Sequence, residues 1–203
     1  MANAENIFAN VQAKAGDNKR SFQWYQKQVQ SLRRAGQLRS PNQLMQSGQE
    51  NFVNRINPGE MYLFYYDPKH KDKLPYYDTL PLVLPFKRVS GGMFGRKGSG
   101  FLGINLHYLP YMMRYKVLGE LSKYATDDKM DERTRIKFSY QTLSSVAMLK
   151  PAQACVKHYL ADHVQSRFLK INISDWLTAS QLPIEQFVGS NKQSIWRATG
   201  KRY

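Results

Sequence analysis

The chain has 203 residues, of which 42% are hydrophobic and 13% aromatic, enough for a packed core within one domain of ordinary size. Its 30 lysines and arginines outnumber 15 aspartates and glutamates, and the resulting net charge of +15 favours a polyanionic partner. The single cysteine, Cys155, excludes an internal disulfide and a zinc site with several cysteines, and no apolar stretch reaches the roughly 18 to 20 residues of a membrane span.

Residues 1–57 are rich in glutamine, asparagine and serine, and we interpret them as a basic N-terminal arm and linker, with residues 58–203 as the body. Within the arm, Ser21 is a suitable helix N-cap and Gly36 a suitable stop. The sequence predicts a helix between them with a basic outer face, since apolar residues recur at helical spacing at Phe22, Tyr25, Val29 and Leu32.

Four segments of the body are predicted strands: 61–66, 80–89, 101–106 and 166–175. Pro81 and Pro85 confine the second strand to a sheet edge or a bulge. The glycine-rich stretch 91–100, which contains Arg96 and Lys97, indicates a flexible hairpin tip. The sequence of the last strand, FLKINI, is similar to that of the third, FLGINL. We therefore expect it to complete the same sheet from the far end of the chain.

Between and after these strands the pattern is helical. Helices are predicted from Pro110 to Leu121, from residue 131 or 132 through Lys150, and from Pro151 through His163, with short helices after Ser174, Pro183 and Ser190. The predicted fold class is α+β. It consists of a small, partly open antiparallel β-barrel or sheet with a helical insertion and C-terminal helices, preceded by the basic helical arm.

His107 lies where the strand pattern gives way to a helix that begins at Pro110, and we interpret it as a structural partner of nearby buried tyrosines. Catalysis by His107 would need an orienting carboxylate and a nucleophile, which the local sequence does not supply. The spacing of His70, His158 and His163 is not that of metal ligands on a helix. The sequence therefore predicts no catalytic residue, no metal site and no cofactor.

A metal-dependent nuclease is a less favoured alternative. Asp67, Asp72 and Glu120 superficially resemble a set of acidic metal ligands, but the two aspartates lie among lysines on a proline-bounded loop. Charge balancing in solvent is the ordinary explanation of such acids. The glycine-rich tip lacks the spacing of a nucleotide-hydrolysing phosphate loop.

Basic residues interleaved with aromatics recur along the chain and predict contact with DNA. Lysine and arginine neutralise phosphates, whereas exposed aromatic rings stack on frayed bases, which favours ends over smooth duplex. No base-reading motif is present, so sequence-independent binding is expected. The candidate DNA-binding residues are Lys27, Arg33, Arg34, Lys69, Lys71, Lys73, Arg96, Lys97, Arg114, Lys116, Lys201 and Arg202.

Three segments of the body, DPKHKDKLPYYD (67–78), GINLHYLP (103–110) and SRFL (166–169), resemble the DNA end protector family of T-even-like contractile-tailed bacteriophages. The resemblance extends over roughly residues 58–188. It implies a non-enzymatic virion protein that binds the end of the packaged linear double-stranded DNA and shields it from host exonuclease. It gives no individual role to the residues that match.

The resemblance also implies a place and partners. The protein is expected in the virion, assembled in the host cytoplasm, beside other virion proteins of the portal, neck or tail; a homo-oligomer is left open, and no membrane contact is expected. The main alternative is an architectural neck or baseplate subunit that contacts only protein.

Overall fold

The computed structural model describes residues 7–16, 20–37, 40–47, 49–89, 99–125, 141 and 153–200. The strands are β1 (Phe52–Val53), β2 (Met61–Leu63), β3 (Tyr77–Asp78), β4 (Leu82–Val89), β5 (Gly100–Asn105), β6 (Val156–Leu160), β7 (Phe168–Ile171) and β8 (Phe187–Val188). Six of them form an antiparallel sheet in the order β1-β7-β2-β4-β5-β6, and β3 pairs with β8 in a separate ribbon. With the helices around this sheet, the fold is α+β, as predicted.

The described α-helices are α1 (Ile7–Ala15), α2 (Phe22–Arg34), α3 (Pro41–Ser47), α4 (Tyr111–Ala125), α5 (Trp176–Ala179) and α6 (Lys192–Gly200). Short 3-10 turns cover Gln49–Asn51, Lys71–Lys73, Leu106–Tyr108, Ala161–His163 and Ile173–Asp175. Among the described residues, no helix combines the length and apolar character needed to cross a membrane.

The sheet is covered on both faces. Because successive side chains of a strand point to opposite sides, one strand contributes to both cores. Met61 and Leu63 face a large core to which α1, α2, α4 and α5 also contribute. Tyr62 and Phe64 face a smaller, aromatic core. There, the Phe64 ring contacts the rings of Tyr66, Phe101, Tyr159 and Phe168 at centroid distances of 6.3, 5.9, 5.3 and 5.0 Å.

The helix predicted between Ser21 and Gly36 is confirmed as α2. The Ser21 hydroxyl accepts a hydrogen bond from the backbone N–H of Trp24 at 3.2 Å, as an N-cap should. Gly36 has a φ of 70°, the left-handed conformation that ends helices at little cost when the residue is glycine. The buried positions Tyr25, Val29 and Leu32 are those of the predicted apolar face.

The strand predicted near the C-terminus is also confirmed, since β7 lies between β1 and β2 in the main sheet. Pro85 lies at a register shift between β4 and β5, so the predicted bulge is present. The alternative, an edge position, is wrong because β4 lies between β2 and β5 in the interior of the sheet. The sheet remains open and does not close into a barrel.

The helix predicted from Pro151 through His163 is wrong. Residues 156–160 form strand β6, which pairs with β5 so that Tyr159 lies opposite Phe101. The rings of these two residues stack at 5.2 Å. The segment VKHYL contains β-branched and aromatic residues that suit a strand, and its packing against the sheet overrides an accidental helical spacing.

Two smaller predictions near the C-terminus are also wrong. Pro183 does not open a helix; residues 182–186 have no regular secondary structure and lead into β8. Helix α6 is capped by Asn191, whose side chain accepts from the Ser194 N–H at 2.9 Å, and not by Ser190. Asparagine is as good an N-cap as serine, so the sequence alone did not separate the two positions.

The division of the chain at residue 57 stays a prediction. Ile7, Val11, Tyr25 and Val29 nevertheless lie in the same buried cluster as residues of the sheet. Other predictions fall outside the described residues: most of the helix over 131–150, the glycine-rich tip with Arg96 and Lys97, and the C-terminal Lys201 and Arg202.

Candidate nucleic-acid interface

A cleft of about 510 Å³ opens between the segment 66–78 and strand β6. Tyrosines form much of its lining: Tyr66, Tyr76, Tyr77, Tyr108 and Tyr159. Basic side chains also line it, namely Lys69, His70, Lys157 and His158. The cleft therefore combines aromatic rings with hydrogen-bond donors and positive charge.

The segment 67–74 forms one wall of the cleft because hydrogen bonds fix both its start and its turn. The Asp67 backbone N–H donates to the His163 carbonyl at 3.0 Å, and the His163 Nδ1 lies 2.8 Å from the Asp67 carbonyl oxygen. Lys71 forms an exposed ion pair with the Asp67 carboxylate at 3.0 Å. Lys69, which lines the cleft, is exposed, and so are Lys71 and Lys73 on the adjoining Lys71–Lys73 turn; we call these three lysines the cleft rim.

The β3–β8 ribbon holds the second half of this wall. Tyr77 lies opposite Val188, and Gly189 follows with a φ of 82°. A side chain at Gly189 would come within 2.6 Å of the Pro75 carbonyl oxygen. Glycine at this position thus lets the ribbon approach the backbone that leads to Tyr76 and the cleft.

Asp78 organises the floor of the cleft. One carboxylate oxygen accepts from the Leu80 N–H at 3.1 Å; the other accepts from the Asn105 side-chain amide at 3.1 Å and lies 2.7 Å from His107 Nδ1. Asn105 in turn accepts from the His107 backbone N–H at 2.9 Å. This network connects β3 to the turn after β5. Both carboxylate oxygens of Asp78 have hydrogen-bond donors within the protein.

Lys157 and Tyr108 meet within the cleft. The Lys157 ammonium lies 4.1 Å from the centroid of the Tyr108 ring, a cation–π contact. Tyr76 packs beside the same ring at 6.0 Å with a 39° tilt. Burial, with a smaller contribution from the Asp78 charge, raises the pKa of Tyr108, so its hydroxyl stays protonated at neutral pH.

His107 does not bond the tyrosines proposed as its partners; its partner is Asp78. The imidazole is 0% exposed, and its Nε2 has no hydrogen-bond partner. A carboxylate orienter is therefore present, which the local sequence did not reveal because Asp78 lies 29 residues away. The imidazole has no opening to solvent and does not line the cleft, so the geometry of the pair fits a structural role.

The predicted DNA contact at Arg114 is corrected by the structure. The side chain is 0% exposed and pairs with the Glu185 carboxylate at 2.6 Å. It also donates to the carbonyls of Leu109 and His107 at 2.8 and 3.2 Å. The inward face of α4 thus includes Arg114, whereas Met112 of the same helix is 40% exposed.

The other described candidates remain at the surface: Lys27, Arg33 and Arg34 on α2, Lys69, Lys71 and Lys73 beside the cleft, and Lys116 on α4. Helices α2 and α4 contact each other through Tyr115, whose ring lies 5.6 Å from that of Phe22. The structure thus distributes the candidates over the cleft rim and the α2–α4 side, and the DNA contacts themselves stay predictions.

Several cleft residues were missed from the sequence. Lys157 and His158 were assigned to a helix, which hid their place on β6 beside the tyrosines of the segment 66–78. A second, wider cleft of about 670 Å³ is lined by Arg55 and Arg88 and was not anticipated either. Arg88 donates to the Ile56 carbonyl at 2.8 Å, so part of its guanidinium is already engaged.

Over the described ranges, histidine, cysteine, aspartate and glutamate side chains nowhere gather in groups of three or more suited to a metal ion.

The chain is an α+β protein with a cationic surface and a tyrosine-lined cleft, a combination suited to nucleic acid. A family model described as phage T4 terminal DNA protecting protein matches residues 5–199, nearly the whole chain, and the protein belongs to this family. The predicted family is thereby confirmed. No curated protein and no solved structure gives a significant match to the chain.

Proposed function

We propose that the protein binds the end of linear double-stranded DNA without sequence preference and shields it from exonuclease, without itself catalysing a reaction. Family membership over residues 5–199 is the observation that carries this proposal. The net charge of +15 supports it, because a polyanion offsets the self-repulsion of such an excess.

Surface chemistry supports the same function. Exposed lysines at the cleft rim supply phosphate contacts, and half-buried Tyr76 and Tyr77 supply aromatic surface beside them. Phosphate neutralisation releases counterions, so binding weakens steeply as salt is raised. Aromatic surface is useful only where bases are exposed, which on an intact duplex means its ends.

The proposal places the protein in the virion, on the packaged genome and beside other virion proteins of the portal, neck or tail, after assembly in the host cytoplasm. Density for the chain next to the genome end, in a reconstruction of the particle, is the expected result. Density only among protein subunits, remote from DNA, would favour the architectural alternative.

The direct test is a protection assay. A linear duplex is digested with a processive double-strand exonuclease in the presence of increasing protein, and a dumbbell duplex with both ends closed by hairpins serves as a competitor without ends. We expect the protein to protect the linear duplex from digestion. An equal mass of the dumbbell should not reduce this protection, because it offers no ends to compete for the protein. Equal competition by linear and dumbbell DNA, or no protection, would overturn the proposal.

A second assay tests whether the protein is a nuclease. Plasmid DNA incubated with the protein and magnesium or manganese should remain supercoiled. Nicking that is lost in Asp67→Ala would replace the proposed function with metal-dependent cleavage.

A further inference from the structure

We propose that the tyrosine-lined cleft holds a single unpaired nucleotide at the DNA terminus. This inference rests on the proposed function and adds to it the site and the chemical class of the ligand. Three observations support it: the size of the cleft, the chemistry of its lining and the availability of bases at an end.

The size of the cleft selects a small ligand. Its volume of about 510 Å³ falls in the range of pockets that bind molecules such as nucleotides. A DNA duplex is far too wide to enter such a space, so the cleft can take only a part of the DNA that leaves the duplex. A terminal nucleotide is the smallest such part.

The lining matches a nucleotide. Tyr76 and Tyr77 are half-buried and present ring surface on which a base can stack. Lys69 and Lys157 line the same cleft and supply positive charge for the phosphate. The acid in the lining, Asp78, has both carboxylate oxygens occupied by Leu80, Asn105 and His107, which limits its repulsion of the ligand.

An end is where such a nucleotide is available. Extruding a base from inside a duplex costs stacking and pairing energy, which is least for a base that is already single-stranded. A cleft that binds one base therefore discriminates ends from continuous duplex without reading sequence. This gives the end preference a physical origin that cationic residues alone do not provide.

The test uses four duplexes of equal length. One is a dumbbell closed by hairpins at both ends. The other three are closed by a hairpin at one end, and their open end is blunt, has a one-nucleotide overhang, or has the same overhang with an abasic sugar. Dissociation constants are measured by fluorescence anisotropy at one salt concentration. We expect the base-bearing overhang to bind about fivefold or more tightly than the abasic overhang, because a stacked base contributes a gain of this order.

Two variants connect this difference to the cleft. Tyr76→Leu should reduce the preference for the base-bearing over the abasic overhang at least severalfold, because it removes the stacking surface. Lys157→Gln should weaken binding of both overhangs relative to the dumbbell at least severalfold, because both carry the phosphate. Their matched controls are Tyr65→Leu, a half-buried tyrosine that does not line the cleft, and Lys87→Gln, an exposed lysine on β4. Tyr65→Leu should keep the full preference for the base, and Lys87→Gln the full preference for overhangs over the dumbbell.

The outcomes separate the two proposals. Equal binding of base-bearing and abasic overhangs, both above the dumbbell, would overturn the nucleotide cleft and leave end binding intact. Equal binding of all four DNAs would overturn end binding itself. If Tyr76→Leu does not fold, 5-iododeoxyuridine in the overhang is photo-crosslinked to the unmodified protein. Crosslinks in residues 66–78 or 156–160 support the cleft, and crosslinks only elsewhere reject it.

Discussion

His107 Nδ1 lies 2.7 Å from the Asp78 carboxylate, and both side chains are almost completely buried. The two residues join the β3–β8 ribbon to the turn after β5, directly beneath the cleft. Their role is to stabilise the packing of the ribbon against this turn, since the imidazole has no access to solvent.

Asp78→Ala should therefore destabilise the protein. It removes the acceptor of three donors, from Leu80, Asn105 and His107, and leaves them buried without a partner. Removal of one member of a buried polar pair typically costs about 3 to 5 kcal/mol. The free energy of unfolding in urea measures the loss.

The matched control is Asp72→Ala, which removes an exposed aspartate from the same segment. Its free energy of unfolding should stay close to that of the unmodified protein, since surface substitutions away from such networks have small effects. A comparably small effect of Asp78→Ala would contradict the structural role assigned to the pair.

Arg114 and Glu185 form the second buried polar pair. Burial alone would raise the pKa of Glu185, but the charges of Arg114, His107 and Lys192 outweigh it and hold the pKa below its usual range. Arg114→Met should lower the free energy of unfolding by about 3 to 5 kcal/mol, because it leaves the Glu185 charge buried without its arginine. Urea unfolding is the measurement.

The double variant Arg114→Met with Glu185→Leu tests this explanation. Replacing both partners removes the unpaired charge, so the double variant should be more stable than Arg114→Met alone. Refolded Arg114→Met should bind DNA as the unmodified protein does, because Arg114 is not at the surface. A loss of affinity with unchanged stability would restore Arg114 as a DNA contact.

Local signals in the sequence were sufficient for much of the fold. Ser21 and Gly36 predicted the limits of α2 because capping depends on the residue type at one position. The likeness of FLKINI to FLGINL predicted a distant strand of the same sheet, confirmed as β7. In these cases the chemistry of a few neighbouring residues decides the structure.

The larger failures, at β6, Arg114 and the cleft, have a common cause, which is that distant residues decide the outcome. Strand β6 is specified by pairing with β5, and Arg114 turns inward because Glu185 arrives from the C-terminal region. The cleft likewise needs Lys157 from β6 beside tyrosines of the segment 66–78. Its aromatic and basic composition was visible in the sequence, but its walls come from parts of the chain that only the fold brings together.

The stability of the protein should depend on pH through Asp175, at the start of α5. Burial raises the pKa of this carboxyl to about 6, although a hydrogen bond from Ser174 acts in the opposite direction. The folded protein thus holds the proton more tightly than the unfolded chain. Its contribution to stability is complete below about pH 4 and is lost as pH rises through about 6.

Asp175→Asn isolates this effect, because the amide is neutral at every pH. The difference in free energy of unfolding between Asp175→Asn and the unmodified protein should change in favour of the variant between pH 4 and pH 6 and then level off. A difference that stays constant over this interval would show that the carboxyl titrates normally.

Cys155 should be unreactive in the folded protein. The residue is completely buried, and burial raises the pKa of its thiol to about 11. The thiolate is the reactive form, so alkylation at pH 8 should be slow in buffer and fast in denaturing urea. Rapid native labelling, measured by mass spectrometry, would indicate that the core around Cys155 opens readily.

The two groups of exposed cations should contribute differently to DNA binding. Lys69 lines the cleft and Lys71 and Lys73 follow it on the same exposed segment, whereas Lys27, Arg33 and Arg34 lie on α2. Replacing either set with glutamine should lower the slope of log affinity against log salt by about 2 to 3, since each lost phosphate contact removes about 0.9 from a duplex slope.

Of the two sets, only the cleft set should also reduce the preference for linear over dumbbell DNA, because it includes Lys69 of the proposed terminal site and the α2 set does not reach that site. The α2 set should weaken binding to both DNAs equally, as contacts to continuous duplex do. Each set changes the charge by the same amount, so the two triple variants control for each other. An unchanged end preference in Lys69→Gln/Lys71→Gln/Lys73→Gln would show that these lysines do not take part in end recognition. Their phosphate contacts would then belong to non-specific binding.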